Sequence, residues 1–121
     1  MDVGRSSKAS MIIKERKVGT YIVLDLTGRL TINEDIEQIP AALVRLLESG
    51  VRQIALDLKQ ATYMDSTGSA SLIQCYQKAR QAGVKIKFLD PSPRIKKLFE
   101  ISKLDTILDI DHESNLQTEI R

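Results

Sequence analysis

The sequence predicts an α/β fold, a single domain whose mixed but mainly parallel sheet alternates with helices in the order ββαβαβαβ. Two observations support this prediction. Short apolar runs rich in β-branched residues alternate with segments whose apolar residues recur every three or four positions. The chain has 121 residues, the length of one typical domain. We therefore expect one sheet of four to five strands with three to four helices.

The first two strands are predicted to form a hairpin, and a later run to form the centre of the sheet. The runs 11–13 and 21–26 are rich in Ile, Val and Leu, and Gly19 lies between them, as in a tight turn. The run 54–58 (IALDL) is short and apolar, which suits a central strand buried on both faces. An antiparallel element therefore begins the sheet.

A helix is predicted over residues 31–49, where Ile and Leu recur at spacings of three and four. Asn33 is placed to cap this helix, with Glu34 and Asp35 in the first turn, where negative charge is favourable. Pro40 conflicts with an unbroken helix, because it lacks an amide donor and clashes with the preceding turn. Either the helix proper begins at Pro40 or it is kinked there.

In the second half of the chain, the pattern of apolar residues predicts two further helices and two further strands. A helical pattern extends over residues 66–82, and residues 84–88 alternate between apolar side chains and lysine, as in a half-buried strand. Ser92 is a candidate cap for a short helix that begins at Pro93. Residues 106–110 are the candidate last strand.

The predicted domain occupies residues 11–112. Residues 1–10 are polar and are expected to be a disordered tail or a cloning remnant. Residues 113–121 are expected to be a C-terminal extension that forms a weak helix or frays.

Composition excludes several classes of function. The net charge of +2 is too small for a nucleic-acid-binding protein, and no apolar run approaches the ~20 residues that cross a bilayer. We therefore expect neither nucleic acid nor membrane among the partners. With Cys75 as its only cysteine the chain forms no internal disulfide, and no secretory signal is visible, so we expect a cytoplasmic protein.

No catalytic or metal-binding set of residues is visible. His112 is the only histidine and lies in a polar segment, which argues against His-dependent catalysis. Cys75 is expected to be a packing residue, and one Cys with one His make no zinc site. Asp57 and Asp65 are weak candidates for a carboxylate pair. We expect no enzymatic activity, no metal and no cofactor.

The segment Asp65-Ser66-Thr67-Gly68 carries the polar chemistry of the chain, at the start of a predicted helix. One interpretation is structural, since Asp65 or Ser66 can accept hydrogen bonds from the unpaired first amides of the helix. The other is functional, because a hydroxyl at this end of an α/β sheet is exposed and a phosphate there would change the local charge strongly. The residues alone leave both interpretations open.

Taken in order, these segments resemble the STAS domain family, and within it the bacterial anti-sigma-factor antagonists. Residues 28–31 (GRLT) resemble the family's turn after the second strand, and 54–58 its central strand. Residues 63–68 (YMDSTG) resemble its Asp-Ser-x-Gly signature, and 90–93 (DPSP) the start of its third helix. The resemblance extends over residues 11–111.

The resemblance implies a phosphorylation switch. An unphosphorylated antagonist of this kind binds an anti-sigma factor that is itself a serine kinase, and thereby frees the sigma factor. The kinase uses ATP to phosphorylate the signature serine, here Ser66 with Thr67 as its rival, and a PP2C-type phosphatase restores the protein. The implied surroundings of the phosphosite and partner surface are Asp25, Gly28, Asp65, Thr67, Gly68 and Ser69.

One departure from the family pattern follows the signature glycine. The family often has an aliphatic residue there, whereas this chain has Ser69-Ala70-Ser71, which makes the start of the helix more polar. Two alternative functions stay open, namely a stressosome-like STAS scaffold subunit and a STAS module that handles a small molecule or lipid.

Overall fold

A long hairpin begins the fold in the computed structural model, which describes residues 11–32 and 35–117. Strand β1 (Met11–Val18) pairs antiparallel with β2 (Tyr21–Leu30), and its eight residues all have partners in β2. Gly19 turns the chain with a φ of 59°, a conformation that favours glycine. The predicted hairpin is confirmed.

Strand β2 organises the sheet because it pairs in parallel with two strands in succession. Its first part pairs with β3 (Gln53–Asp57) and its last residues pair with β4 (Ala61–Met64). Strand β5 (Lys85–Leu89) joins β3, and the two-residue β6 (Ile110–Asp111) joins β5, again in parallel. The order is β1-β2-β3-β5-β6 with β4 on the end of β2, which confirms the predicted fold class.

The sheet has six strands where four to five were expected, and the additional strand is β4. Thr62 and Tyr63 are both exposed, so the four residues of β4 show no apolar alternation. The pairing with the end of β2, and not the local pattern, makes this segment a strand. Lys87 on β5 is also more buried than a half-buried strand predicts, at 9% exposed, because it lies between the carboxylates of Asp109 and Asp111.

Four helices and one short turn connect the strands or follow them in the described residues. They are α1 (Gln38–Glu48), α2 (Ser66–Gln81), α3 (Pro93–Ser102), a 3₁₀ turn (Leu104–Thr106) and α4 (Ser114–Gln117). Ser92 caps α3 as predicted, accepting from the amide of Ile95 at 3.4 Å. The last strand lies at 110–111 instead of 106–110, since residues 104–106 form the turn.

Helix α1 is shorter than predicted and contains Pro40 in its first turn. Because the helix begins at Gln38, Pro40 is its third residue, where the amide would have no partner within the helix in any case. Asp35 lies before the first turn, which contains no acidic residue. The predicted cap Asn33 and its neighbour Glu34 lie outside the described residues.

The main core lies between one face of the sheet and helices α1, α2 and α3. Its fully buried members include Leu24, Leu56, Phe88 and Phe99. Cys75 on α2 is also fully buried, and burial raises the pKa of its thiol to about 12. The thiol is therefore protonated and unreactive, in agreement with the predicted packing role.

A second, smaller cluster lies on the opposite face of the sheet. It consists of Val18, Tyr21, Val23, Ala55, Leu89 and Leu116. The last of these belongs to α4, so the C-terminal helix covers this face and the chain is layered on both sides of its sheet. None of the described helices is long and apolar enough to span a membrane.

Candidate functional site

Asp65 fixes the start of helix α2 against the end of β2. Its Oδ1 accepts from the amide of Gly68 at 3.0 Å, the N-cap bond expected of this residue, and its Oδ2 accepts from the amide of Ile32 at 3.0 Å. Its own amide donates to the carbonyl of Leu30 at 3.2 Å. One residue therefore ties the helix to the segment that follows β2.

These hydrogen bonds keep Asp65 ionised. Partial desolvation raises the pKa of its carboxyl, but the amides of Gly68, Ile32 and Thr67 donate to it and lower the pKa by more, so the net shift is downward. Each oxygen of the carboxylate accepts a backbone amide, one from the helix and one from the segment after β2. Asp65 is accordingly the N-cap of α2.

Gly68 allows the first turn of α2 to lie directly on the backbone of β2. A Cβ added at this position would stand 2.0 Å from the carbonyl oxygen of Leu30 and 2.9 Å from Cγ of Met64. No side chain fits in that space, and a backbone carbonyl cannot rotate away as a flexible side chain would. The glycine of the signature is therefore required by close packing.

Ser66 is the exposed hydroxyl of this helix start. It is the first residue of α2 and is exposed, whereas Thr67 and Ser69 are half-buried and Ser71 is buried. Exposure therefore favours Ser66 over its rival Thr67 as the group that another protein reaches. The choice between them stays a prediction.

A shallow groove of about 500 Å³ lies beside Ser66, between α2 and α3. It is mostly apolar, and two of its lining side chains are unusually exposed: Ile101 at 68% and Tyr63 at 39%. The lining residues are Tyr63, Met64, Asp65, Ser66, Ser69, Ala70, Ile73, Leu98, Ile101 and Ser102. Large exposed apolar side chains that line one groove are typical of a protein-binding surface.

Helix α3 carries three basic residues, and one of them, Arg94, contacts the Tyr63 side chain that lines this groove. Arg94, Lys96 and Lys97 are all exposed. The guanidinium of Arg94 lies 5.9 Å from the centre of the Tyr63 ring, within the range of a cation–π contact. The groove thus has an apolar floor and a positively charged, aromatic edge.

The structure separates Asp25 from the other predicted site residues. Gly28 stays near them, since its amide donates to the carbonyl of Gln60 at 3.1 Å, in the loop before β4. Asp25 projects from the opposite face of the sheet, where its carboxylate accepts from Nε of Arg16 at 2.7 Å. Its predicted place in the partner surface stays a prediction.

Arg16 joins three carboxylates on that opposite face, a cluster that the sequence analysis missed. Besides Asp25, its guanidinium donates to Asp57 at 2.9 Å and to both oxygens of Glu113 at 2.7 and 2.9 Å. The partners lie 9, 41 and 97 positions away in the chain. The alternation of β1 places Arg16 on the face of Val18, but no local signal identifies partners so distant.

The pKa values of two carboxylates in this cluster are shifted in opposite directions. Burial raises the pKa of Asp57, although the amide of Lys59 donates to it at 2.8 Å. The hydrogen bonds from Arg16 lower the pKa of Glu113. Asp57 and Asp65 thus each have their own partners, and the weak suggestion of a carboxylate pair gains no support.

The described residues offer no metal site. Within 11–32 and 35–117, no group of three His, Cys, Asp or Glu side chains is placed to hold an ion. His112, which the sequence placed in a polar segment, is exposed, and its Nδ1 lies 2.8 Å from Oδ1 of Asp90.

Comparison with known proteins gives one family. The family model of the STAS domain matches residues 11–118. The anti-sigma-B factor antagonist of Bacillus subtilis (strain 168) is 35% identical over 72 residues, which are 60% of this chain and 65% of that protein. The match thus spans slightly less than two thirds of that relative's length.

Two of the solved structures that share this fold are of SpoIIAA. The anti-sigma factor antagonist SpoIIAA in its unphosphorylated form superposes with a TM-score of 0.70 at 21% identity, over 87% of this chain and 92% of its own. The Bacillus cell fate determinant SpoIIAA in the phosphorylated form gives 0.68 at 21% identity, over 91% and 100%. The order of the elements, the Asp65 cap and the match over residues 11–118 agree: this chain belongs to the STAS domain family.

Proposed function

We propose that this chain is an anti-sigma-factor antagonist that is switched off by phosphorylation of Ser66. The observation that carries the proposal is the placement of an exposed serine hydroxyl at the first position of α2, next to a groove lined by exposed apolar side chains. The relatives named anti-sigma-B factor antagonist support the class of function. The chain acts as a regulator and not as an enzyme.

A phosphate on Ser66 would face outward because its neighbours already use the helix amides. The side chain of Asp65 accepts a hydrogen bond from the amide of Gly68, and its backbone carbonyl accepts one from the amide of Ser69, at 3.0 Å each. The phosphate adds about −1.5 to −2 charges beside an ionised Asp65. The switch therefore acts on the docking partner, with little rearrangement of this chain.

The groove between α2 and α3 is the proposed contact for that partner. Its apolar floor would supply the buried part of an interface, and Ser66 at its border would place the phosphate where charge has to be desolvated on binding. Phosphorylation would therefore weaken binding without occupying the groove.

The proposed partners are an anti-sigma factor that is itself an ATP-dependent serine kinase and a PP2C-type phosphatase that reverses the modification. ATP and metal belong to these partners. The kinase would also supply the base for the Ser66 hydroxyl. We propose a cytoplasmic location, where such a kinase and sigma factor would be found.

Phosphorylation by the candidate kinase tests the site. The chain is incubated with ATP and each anti-sigma kinase of its source, and intact mass and site mapping are recorded. We expect one added phosphate, abolished in Ser66→Ala and retained in the matched variant Thr67→Ala. Full phosphorylation of Ser66→Ala would show that the site is wrong.

Binding to the same kinase tests the groove. Ile101→Ala removes an exposed side chain inside the groove, and Ile107→Ala removes one that is 47% exposed outside it. We expect Ile101→Ala to weaken binding roughly tenfold or more and Ile107→Ala to leave it unchanged, because interface energy is concentrated in a few apolar contacts. Equal affinities for the two variants would place the interface elsewhere.

A further inference from the structure

Strand β1 is an edge of the sheet, and its outer side has no partner strand among residues 11–32 and 35–117. It pairs with β2 in an antiparallel ladder, so every second residue of β1 directs its amide and carbonyl away from β2. An edge of eight residues is long enough to pair with a further strand. The main chain of β1 therefore offers a place where an extended segment of another protein can be added.

An apolar groove of about 380 Å³ lies next to this edge, between β1 and helix α1. Ile13 and Leu24 line it on the side of the sheet, and Ala41 and Ala42 line it on the side of the helix. The short side chains of the two alanines leave space over the sheet. Because side chains of a strand project alternately to the two faces of a sheet, an added strand would direct every second side chain toward this groove.

Two lysines give the edge its charge. Glu15 is ion-paired with α1 at 2.9 Å, and Arg16 is held by three carboxylates. Lys14 and Lys17 are exposed and form no ion pair with the described residues. An added strand would lie about 4.8 Å from β1 and twice as far from Asp25, which is on β2. The added strand would therefore experience the positive charge of the lysines first.

A second copy of β1 is a poor occupant of this edge. Two antiparallel copies that pair about Lys14, Glu15 or Arg16 bring two identical charges directly opposite each other, which is destabilising. Lysines on an edge strand are a common protection against such indiscriminate pairing. A strand that carries carboxylates meets no such repulsion, so the same lysines select for it.

We propose that the outer edge of β1 binds an extended, acidic segment of a partner protein by strand addition. Carboxylates on one face of the added strand would lie beside Lys14, and apolar side chains on its other face would enter the groove beside α1. Lys17 adds attraction near the hairpin turn. Ser66 does not line this groove, so the surface is separate from the proposed phosphorylation switch.

A fluorescently labelled peptide of alternating glutamate and valine tests the edge on the full chain, with binding measured by anisotropy. We expect it to bind at least fivefold more tightly than the analogue with lysine in place of glutamate. Lys14→Glu should reverse this preference, whereas the matched variant Lys103→Glu, which changes an exposed lysine after α3, should keep it. If Lys14→Glu fails to fold by circular dichroism, Lys17→Glu replaces it.

Hydrogen exchange tests the mode of binding. Strand addition should slow the exchange of alternate amides of β1 when the acidic peptide is bound. Of two peptides N-methylated at either the glutamates or the valines, one should lose at least tenfold in affinity and the other should not, because only one set of amides faces β1.

Three results would overturn the proposal. They are equal binding of the acidic and basic peptides, no binding up to millimolar concentration, and binding without protection of β1. Light scattering on the chain alone distinguishes the remaining occupant: a dimer that protects the amides of β1 would assign the edge to a second copy and not to an acidic partner.

Discussion

The start of α2 and the Arg16 cluster both join distant parts of the chain, but they use different groups. Around Ser66 the connections run through backbone amides and carbonyls, with Asp65 as intermediary and Gly68 in direct contact with β2. Around Arg16 they run between charged side chains. The first arrangement leaves a hydroxyl free for another protein, whereas the second uses its polar groups to hold α4.

The difference shows how one small sheet supports two kinds of surface. A surface built on backbone contacts can carry any exposed side chain without losing its shape, which suits a modification site. A surface built on ion pairs keeps its shape only while each side chain is ionised and has its partner in place. The two should therefore respond differently to steric and electrostatic changes.

The largest expected effect is the steric one at the start of α2. Gly68→Ala should destabilise the domain by about 3 kcal/mol, because the added methyl group meets a backbone carbonyl and the helix must move away from β2. Chemical denaturation measures the change, with Ala70→Gly as a control on the exposed side of the same helix. A loss no greater than that of the control would show that the close approach is unimportant.

A smaller effect is expected in the Arg16 cluster. Arg16→Leu should destabilise by about 2 kcal/mol, because it leaves Asp57 almost buried without its cation, while the exposed fraction of Arg16 reduces the cost. Lys17→Leu on the same strand is exposed and should change stability little. Denaturation curves for the two variants that coincide would contradict the assigned role of Arg16.

The smallest expected effect is the dependence of the unfolding free energy on pH, which distinguishes the two regions. The pKa of Glu113 is lowered by Arg16, and that of Asp111 is lowered to about 2 by Lys87. A lowered pKa gives stability that is present above the unfolded values of about 4 and is lost as the pH falls through the folded ones. Asp57, whose pKa is raised by burial, works in the opposite direction and offsets part of the loss.

The unfolding free energy should therefore fall between pH 5 and pH 2. Glu113→Gln should flatten this dependence and should also increase hydrogen exchange in α4 in neutral solution. Asp65→Asn should flatten it too, since its pKa is lowered, but with increased exchange at the start of α2 instead. Exchange that changes in the same segment for both variants would show that the two regions are not independent.

Much of the architecture was predictable because it follows from local patterns. The hairpin, the central strand, the cap at Ser92 and the packing role of Cys75 each depend on residues close in sequence, and each is confirmed. The predicted helix over residues 31–49 starts before the observed helix α1, which begins at Gln38. Pro40 was the better signal, because it is tolerated in the first turn and so marks where α1 begins.

The sequence by itself determined the order of the elements and the chemistry at the start of α2, since apolar periodicity and capping act over a few residues. Features that depend on contacts between distant residues were decided by the tertiary structure. They are the strand β4, the burial of Lys87, the groove beside Ser66 and the packing of α4 against the sheet. Arg16 illustrates the physical reason. Its charge is visible in the sequence, but its three carboxylates come from β2, β3 and the segment before α4, and only the folded sheet brings them within hydrogen-bonding distance.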